Sequence, residues 1–277
     1  MRNGRIGILL LFGCLISALP AQEKEQSRHG LQAIIFESYL TPLPIDKFDV
    51  IELPSLEFRQ KFSRLLAPFH GPASIELPPG VVLPREPMFL DIYTFSATGE
   101  QIQKNKRQSR YNPIQRIDYS IKFLSWSHDS YQAELDGHCG DTKFKKIPVK
   151  AAADKTTVVR IRQSESRVLY FALTPVEPEM KYPKYILLAK PINWPMPVYP
   201  SELLKTNWNG KVRIRAVVNK GGKIDPESFI LLECPHYLFA RSSLDAILNQ
   251  WTFQPAASDG VPLDLESDIE VTFMIRR

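Results

Sequence analysis

Cysteine and histidine are scarce: the 277 residues hold three cysteines and five histidines. Metal centres and thiol catalysis need such side chains grouped at ligand spacing or as a nucleophile with its base. One compact group exists, His138-Cys139-Gly140-Asp141. Neighbouring residues of a strand point to opposite faces, so His138 and Cys139 do not reach each other there. The group reads as a loop with an incidental thiol. His70 and His236 stand alone beside turn residues and read as surface positions. Glycine is also low, at 13 residues. The chain has no Gly-rich phosphate loop and no G-x-S-x-G nucleophile turn. These absences leave no catalytic residue, no cofactor and no metal site to nominate, and the expectation is a protein that is not an enzyme.

Charge of one sign is not in large excess. Thirty-five basic residues face 30 acidic ones, a net charge of +5. That allows weak attraction to anionic surfaces without implying nucleic-acid binding. Lys104, Lys106, Arg107, Arg110 and Arg116 form an acid-free basic stretch. Tyr111 is its one interleaved aromatic, so it reads as a solvated loop. No nucleic-acid partner is expected.

Long apolar runs are missing except at the start. Arg2 and Arg5 precede an apolar run from Ile6 to Leu19, closed by the small residues of Ser17-Ala18-Leu19-Pro20-Ala21. A charged start, a short apolar middle and a small-residue exit describe a secretory signal peptide. A spanning helix needs about 20 apolar residues, and this run is shorter. Residues 1–21 are therefore expected to be a cleaved signal, with an uncleaved anchor as the alternative. Leu11-Phe12-Gly13-Cys14 also has a rough lipid-attachment pattern. Removal would leave Cys139 and Cys234. An oxidising compartment permits a bridge between them, but no spacing supports one, and two separate thiols are expected.

What is abundant is alternation. In residues 31–175, Ile117, Tyr119, Ile121 and Phe123 alternate with polar residues, the mark of a half-buried strand. Leu31–Glu37, Met88–Phe95, Thr157–Ile161 and Val168–Leu173 also read as strands, rich in β-branched and aromatic residues. A helix is expected near Ser55 to Leu66, with Phe58, Phe62, Leu65 and Leu66 on one face. Pro78-Pro79-Gly80 and Asp136-Gly137 read as turns. This is a β-rich domain. Seven of the 23 prolines lie from Pro175 to Pro200. They favour extended, semi-rigid chain, so residues 176–198 read as a linker between two domains.

Residues 199–277 give a sharper pattern. Gly210–Val218 alternates as a strand with one buried face. Asn219-Lys220-Gly221-Gly222 is a tight turn. Ile224–Glu233 reads as the return strand, ended by Cys234-Pro235. Ala240, Leu244, Ile247, Leu248 and Trp251 recur at helical spacing. Ile269, Val271, Phe273 and Ile275 form a last strand, and a short helix is expected at Ser201–Thr206. The whole reads as an α+β fold: a β-rich N-terminal domain, then a small two-layer unit with helices on one face of an antiparallel sheet.

Several spaced features of this last unit resemble the TonB C-terminal domain. They are Tyr199-Pro200, Gly210-x-Val212, Gly222-x-Ile224, Trp251-x-Phe253-x-Pro255-Ala256 and Asp259-Gly260-x-Pro262. They cover about residues 191–277. Each also has a fold-building role, with Trp251 and Phe253 sealing the core and Pro255 stopping the helix. A fainter resemblance links the preceding domain to the secretin family, through the strand Leu31–Glu37, the helix, Gly71–Ile75 and the strands Lys155–Val159 and Leu169–Leu173.

The TonB resemblance implies a periplasmic protein that acts by contact. It implies strand addition to an outer-membrane transporter or other envelope protein, as in TonB-dependent transport. An exposed last strand offers unpaired N–H and C=O groups to an incoming segment. Here the expected partner-binding edge is Asp268, Ile269, Glu270, Val271, Thr272, Phe273, Met274 and Ile275. Internal pairing or self-association through the same strand is the competing expectation. A second reading is an energy transducer of the TonB type, anchored in the inner membrane and facing the periplasm. Membrane contact would then run only through the uncleaved N-terminus. The short apolar run contains no histidine, and a folded domain sits where such transducers carry a long Pro-rich spacer.

Overall fold

The structure, a computed structural model, describes residues 6–7, 28–38, 47–55, 58, 62, 74–77, 81–84, 89–165, 167–206 and 208–275. Most of the expected signal, His70, Leu65, Leu66 and the Pro78-Pro79-Gly80 turn lie outside the described residues. Among those residues no helix is long and apolar enough to cross a membrane.

The N-terminal part is built from β1 (Ile6–Gly7), β2 (Arg28–Ser38), β3 (Phe48–Pro54), β4 (Ser74–Leu77), β5 (Val81–Pro84) and β6 (Phe89–Thr98). It continues through α1 (Gly99–Gln103), β7 (Arg107–Asn112), β8 (Ile117–Trp126), β9 (Ser130–Cys139), β10 (Thr142–Ala152), β11 (Lys155–Arg162) and β12 (Val168–Val176). Two antiparallel sheets pack face to face: five strands in the order β3-β11-β12-β2-β6, and four in the order β10-β9-β8-β7. Their shared core holds Leu31, Ile35, Phe95, Tyr119, Phe123, Tyr131, Leu135 and Phe171. Tyr119 meets Phe95 and Phe171 edge to face, with centroids 5.6 Å apart in both pairs.

The five-stranded sheet is buried on its other face too. Ile34, Phe36, Ile92, Val158, Tyr170 and Ala172 point into a second core shared with the C-terminal residues. That explains why Val168–Leu173 is apolar without a break, where a sheet with one solvated face would alternate. Phe58 and Phe62, described positions of the expected helix, are helical, buried and stacked in this second core at 5.9 Å.

Two expectations need correction here. Asp136-Gly137 is not a turn but lies inside β9. Gly137 is required because an added Cβ would sit 2.4 Å from the Asp118 carbonyl oxygen. The Asp136 carboxylate accepts from the Lys146 amide at 3.2 Å, where β10 bulges between Phe144 and Ile147. The aspartate thus serves a bulge, and the chain turns after Cys139, which pairs with Thr142. The basic stretch is only in part a solvated loop: Lys104, Lys106 and Arg116 are exposed and off the strands. Arg107 and Arg110 lie on β7, with Arg107 bonded to Asp136 and to Ser120 Oγ, and Arg110 to Asp91.

The C-terminal part comprises β13 (Ile186–Leu187), β14 (Lys190–Asn193), α2 (Ser201–Leu204), β15 (Gly210–Val218), β16 (Ile230–Glu233), α3 (Tyr237–Asn249), β17 (Thr252–Gln254), β18 (Ala256–Ser258), β19 (Val261–Leu263) and β20 (Leu265–Ile275). Its main sheet has the order β1-β20-β15-β16 and is antiparallel. The return strand is shorter than expected: after an Ile224–Val218 bridge the chain makes a turn at Asp225, and pairing resumes only at Ile230. The turn before it forms as its residues suggest. Asn219 Oδ1 accepts from the Gly221 and Lys223 amides at 2.9 and 3.1 Å. Gly222 has φ +75° and approaches the Phe253 carbonyl so closely that a Cβ would stand 2.1 Å from its oxygen.

Helix α3 lays Phe239, Ala240, Leu244 and Ile247 on the sheet's apolar face against Val212, Ile214, Ile269, Val271 and Phe273. Phe239 stacks on Phe273 at 4.7 Å. Fully burying one such side chain contributes about 1.5–3 kcal/mol. The proline-rich stretch does not hang free. Residues of β13 and β14 pair with β18 and β17, the Trp251 Nε1–H donates to the Pro195 carbonyl at 2.9 Å, and Ser242 Oγ donates to that of Val198.

Candidate functional site

The site was expected on β20, and its surroundings decide what it can do. The ladder between β15 and β20 runs without a break from Gly210–Phe273 to Val218–Leu265. Val217 sends its amide to Ser228 Oγ and its carbonyl to the Asp225 amide, both at 2.9 Å and both on the β16 side. Opposite residues of an antiparallel ladder exchange both hydrogen bonds or neither. Glu266, opposite Val217, therefore turns its N–H and C=O away from the sheet. By alternation Asp268, Glu270, Thr272 and Met274 do the same. The side chains of Ile269, Val271 and Phe273 point into the core. The eight expected residues thus divide: the even positions offer backbone groups at the edge, and Ile269, Val271 and Phe273 hold the strand in place.

This edge is covered at both ends. Ile6 and Gly7 pair with Ile275 and Met274. At the other end Tyr182 donates its hydroxyl to the Glu266 carbonyl. Burial pushes the Tyr182 phenol up to about 12, so it stays a donor at neutral pH. Arg215, buried on β15, holds Asp268 through two bonds of 2.7 and 3.0 Å and donates to the Glu177 carbonyl at 2.7 Å. Residues 177–182 are thereby strapped against the start of β20. Asp268, Glu270 and Thr272 lie between the two covers.

The sheet's second face is a charged ladder. Lys211 sits 3.6 Å from Glu270 and 3.5 Å from Glu233, and Arg213 sits 3.8 Å from Asp268. The acids on β20 are therefore matched by the bases on β15.

The opposite edge, β16, is occupied. Ile92 of β6 and Cys234 exchange both backbone hydrogen bonds at 2.9 Å. Thr94 Oγ1 donates to the Leu232 carbonyl at 2.8 Å, and Gln32 Nε2 to that of Leu231. Asp91, with no exposed surface, accepts from Asn112 Nδ2 and Tyr119 OH at 2.9 Å and from Arg110 Nε at 3.1 Å. Asn112 also donates to the Pro235 carbonyl at 3.0 Å, and Arg110 reaches Glu233 at 3.7 Å. The Arg110 guanidinium lies 4.5 Å from the centre of the Tyr93 ring. This network joins the β-rich part to β16.

The reactive-type residues do not assemble into a site. His138 is exposed and Cys139 buried, on opposite faces of β9. Burial, with Glu37 nearby, pushes the Cys139 thiol up to about 11, so it is protonated and a poor nucleophile at neutral pH. Cys234 is pushed to about 12 by complete burial, and both thiols are free. His236 is half-buried rather than a free surface position. Its Nδ1 accepts from the Leu238 amide at 3.2 Å and caps α3, and burial pushes its pKa down to about 4. Among the described residues no group of three or more His, Cys, Asp or Glu could hold a metal.

Residues 195–275 match the family Gram-negative bacterial TonB protein C-terminal. No curated protein matches the chain. The residues that carried the likeness to the TonB C-terminal domain build its fold: Tyr199 and Trp251 are buried, and Tyr199 meets Phe239 edge to face at 5.6 Å. Sequence reasoning missed Tyr182, Arg215 and the Asp91 network around the TonB-like domain. Arg215 alternates with Lys211 and Arg213 on the polar face of β15, so the pattern gave no sign of its burial. Tyr182 carried no signal either.

Proposed function

We propose that this is an exported, non-catalytic envelope protein of the periplasm. Its TonB-like domain takes an extended segment of an outer-membrane transporter, or another envelope protein, as an added strand beside Asp268–Thr272. The observation that carries this reading is the asymmetry of the sheet: β16 is engaged by β6, whereas β20 turns the N–H and C=O groups of Asp268, Glu270 and Thr272 outward. Each backbone bond to a partner is worth about 0.5–1.5 kcal/mol net, and a ladder of several gives an affinity suited to reversible contact. Removal of residues 1–21 as a signal would also vacate the position of Ile6 and Gly7 beside Met274.

The test is a photoreactive residue placed at Thr272 in the whole chain, crosslinked in cells. A crosslink to an outer-membrane protein is expected. Glu270→Pro removes one outward N–H and should lower the yield about tenfold, whereas Glu270→Ala should retain it. Crosslinks indifferent to the proline, or only between copies of the chain, would sink the reading.

A further inference from the structure

We infer that residues 181–198 form a docking surface for a lipid bilayer carrying anionic headgroups. This segment lies beside the TonB-like sheet and plays no part in the edge described above beyond Tyr182. It exposes Tyr185, Leu187, Ile192, Trp194, Met196 and Val198, each between 42% and 78% accessible. From Met196 to Tyr199 exposure alternates, with Met196 and Val198 exposed and Pro197 and Tyr199 buried. The inward residues are anchored: Pro191 pairs with Phe253, and the carbonyls of Pro195 and Val198 accept from Trp251 and Ser242. The outward apolar side chains are thus held on a fixed backbone.

Charge names the occupant. Lys181, Lys184 and Lys190 are exposed, and residues 180–201 contain no acid. Of the flanking carboxylates, Glu179 pairs with Arg28 at 2.5 Å, while Glu177 and Glu202 keep their charge just outside the segment. Asp245 on α3 accepts from Asn249 Nδ2 at 2.8 Å. Tryptophan and tyrosine with lysine is the composition that settles at the headgroup boundary, where the ring is half apolar and the ammonium meets phosphate. An interface with a second protein depletes lysine rather than enriching it.

The test uses the whole chain as exported from cells, with vesicles of phosphatidylglycerol or phosphatidylcholine bearing brominated acyl chains. Of the four tryptophans, Trp251 is buried and Trp126 and Trp208 are half-buried, so Trp194 is the one placed for contact quenching. Quenching on phosphatidylglycerol is expected, and Trp194→Phe should abolish it. Each basic residue near an anionic surface strengthens binding about fivefold at low salt, so the triple change of Lys181, Lys184 and Lys190 to Gln should weaken binding roughly a hundredfold. Absence of quenching overturns the inference, as does quenching that survives Trp194→Phe or binding that is equal on both lipids. Self-association abolished by Trp194→Ala, seen in sedimentation without vesicles, would instead assign the stripe to a second copy of the chain.

Discussion

The two edges of the C-terminal sheet differ in how they end. At β16 the edge meets β6, and the junction is held by a buried network in which Asp91, Asn112, Tyr119 and Arg110 bond to one another and to the carbonyl of Pro235. At β20 the outward groups of Asp268, Glu270 and Thr272 lie between a tyrosine hydroxyl and a two-residue strand. An exposed edge invites pairing with any extended chain. One edge is thus spent on holding the protein together, and the other carries the outward groups on which the proposed strand addition rests.

The first way to break this contrast is with proline on β20. Val271→Pro removes an inward N–H and a buried side chain, so the domain should lose its cooperative melting transition; circular dichroism would show it. Glu270→Pro, one residue away, acts on an outward N–H and should leave the fold intact, since edge strands tolerate proline there. Equal damage from both would show that β20 does not alternate as described.

Next is the closed edge. Asp91→Ala leaves Arg110 and Asn112 facing a void, and breaking such a buried network costs about 3–5 kcal/mol. Calorimetry should then resolve two transitions in place of one, because the β6–β16 junction is the part weakened. A single transition shifted by less than about 1 kcal/mol would mean that the network does not bind the two parts.

The smallest effect concerns His236. Its pKa falls from 6.5 to about 4 on folding, so between these values the unfolded chain binds more protons and stability rises with pH. The stability is fully present above pH 6.5 and lost as pH falls through 4. Discounted for partial exposure, it amounts to about 1–2 kcal/mol. His236→Asn keeps a capping side chain and should flatten this slope in urea melts taken from pH 7 to 4.

How much of this could be read beforehand depended on whether a residue's role was local. The TonB-like unit was legible because its turn at Asn219–Gly222, its alternating strands and its helical stripe are set by neighbours in sequence. The edge at Asp268–Ile275 was legible as a strand, but which of its residues face outward was not, since that needed the bonds of Val217 to Ser228 and Asp225. Asp136-Gly137 misled because a turn dipeptide also suits a bulge. The basic residues Arg107 and Arg110 misled because their acids, Asp136 and Asp91, lie 29 and 19 residues away. The burial of Val168–Leu173 on both faces depends on residues beyond 199, which no local pattern reveals.

The bond from Gln32 to the Leu231 carbonyl joins residues 199 positions apart. A chain that leaves the ribosome or crosses a membrane N-terminus first exposes β2 long before β16 arrives. One face of the five-stranded sheet must wait, with Ile34, Phe36 and Tyr170 uncovered, until the last third of the molecule has been made. Nonlocal pairing of this kind slows folding and lengthens the time that apolar surface is open to aggregation. Truncation before residue 199 should therefore yield a sticky, chaperone-dependent fragment, so the C-terminal unit also acts as the lid that completes its neighbour's folding.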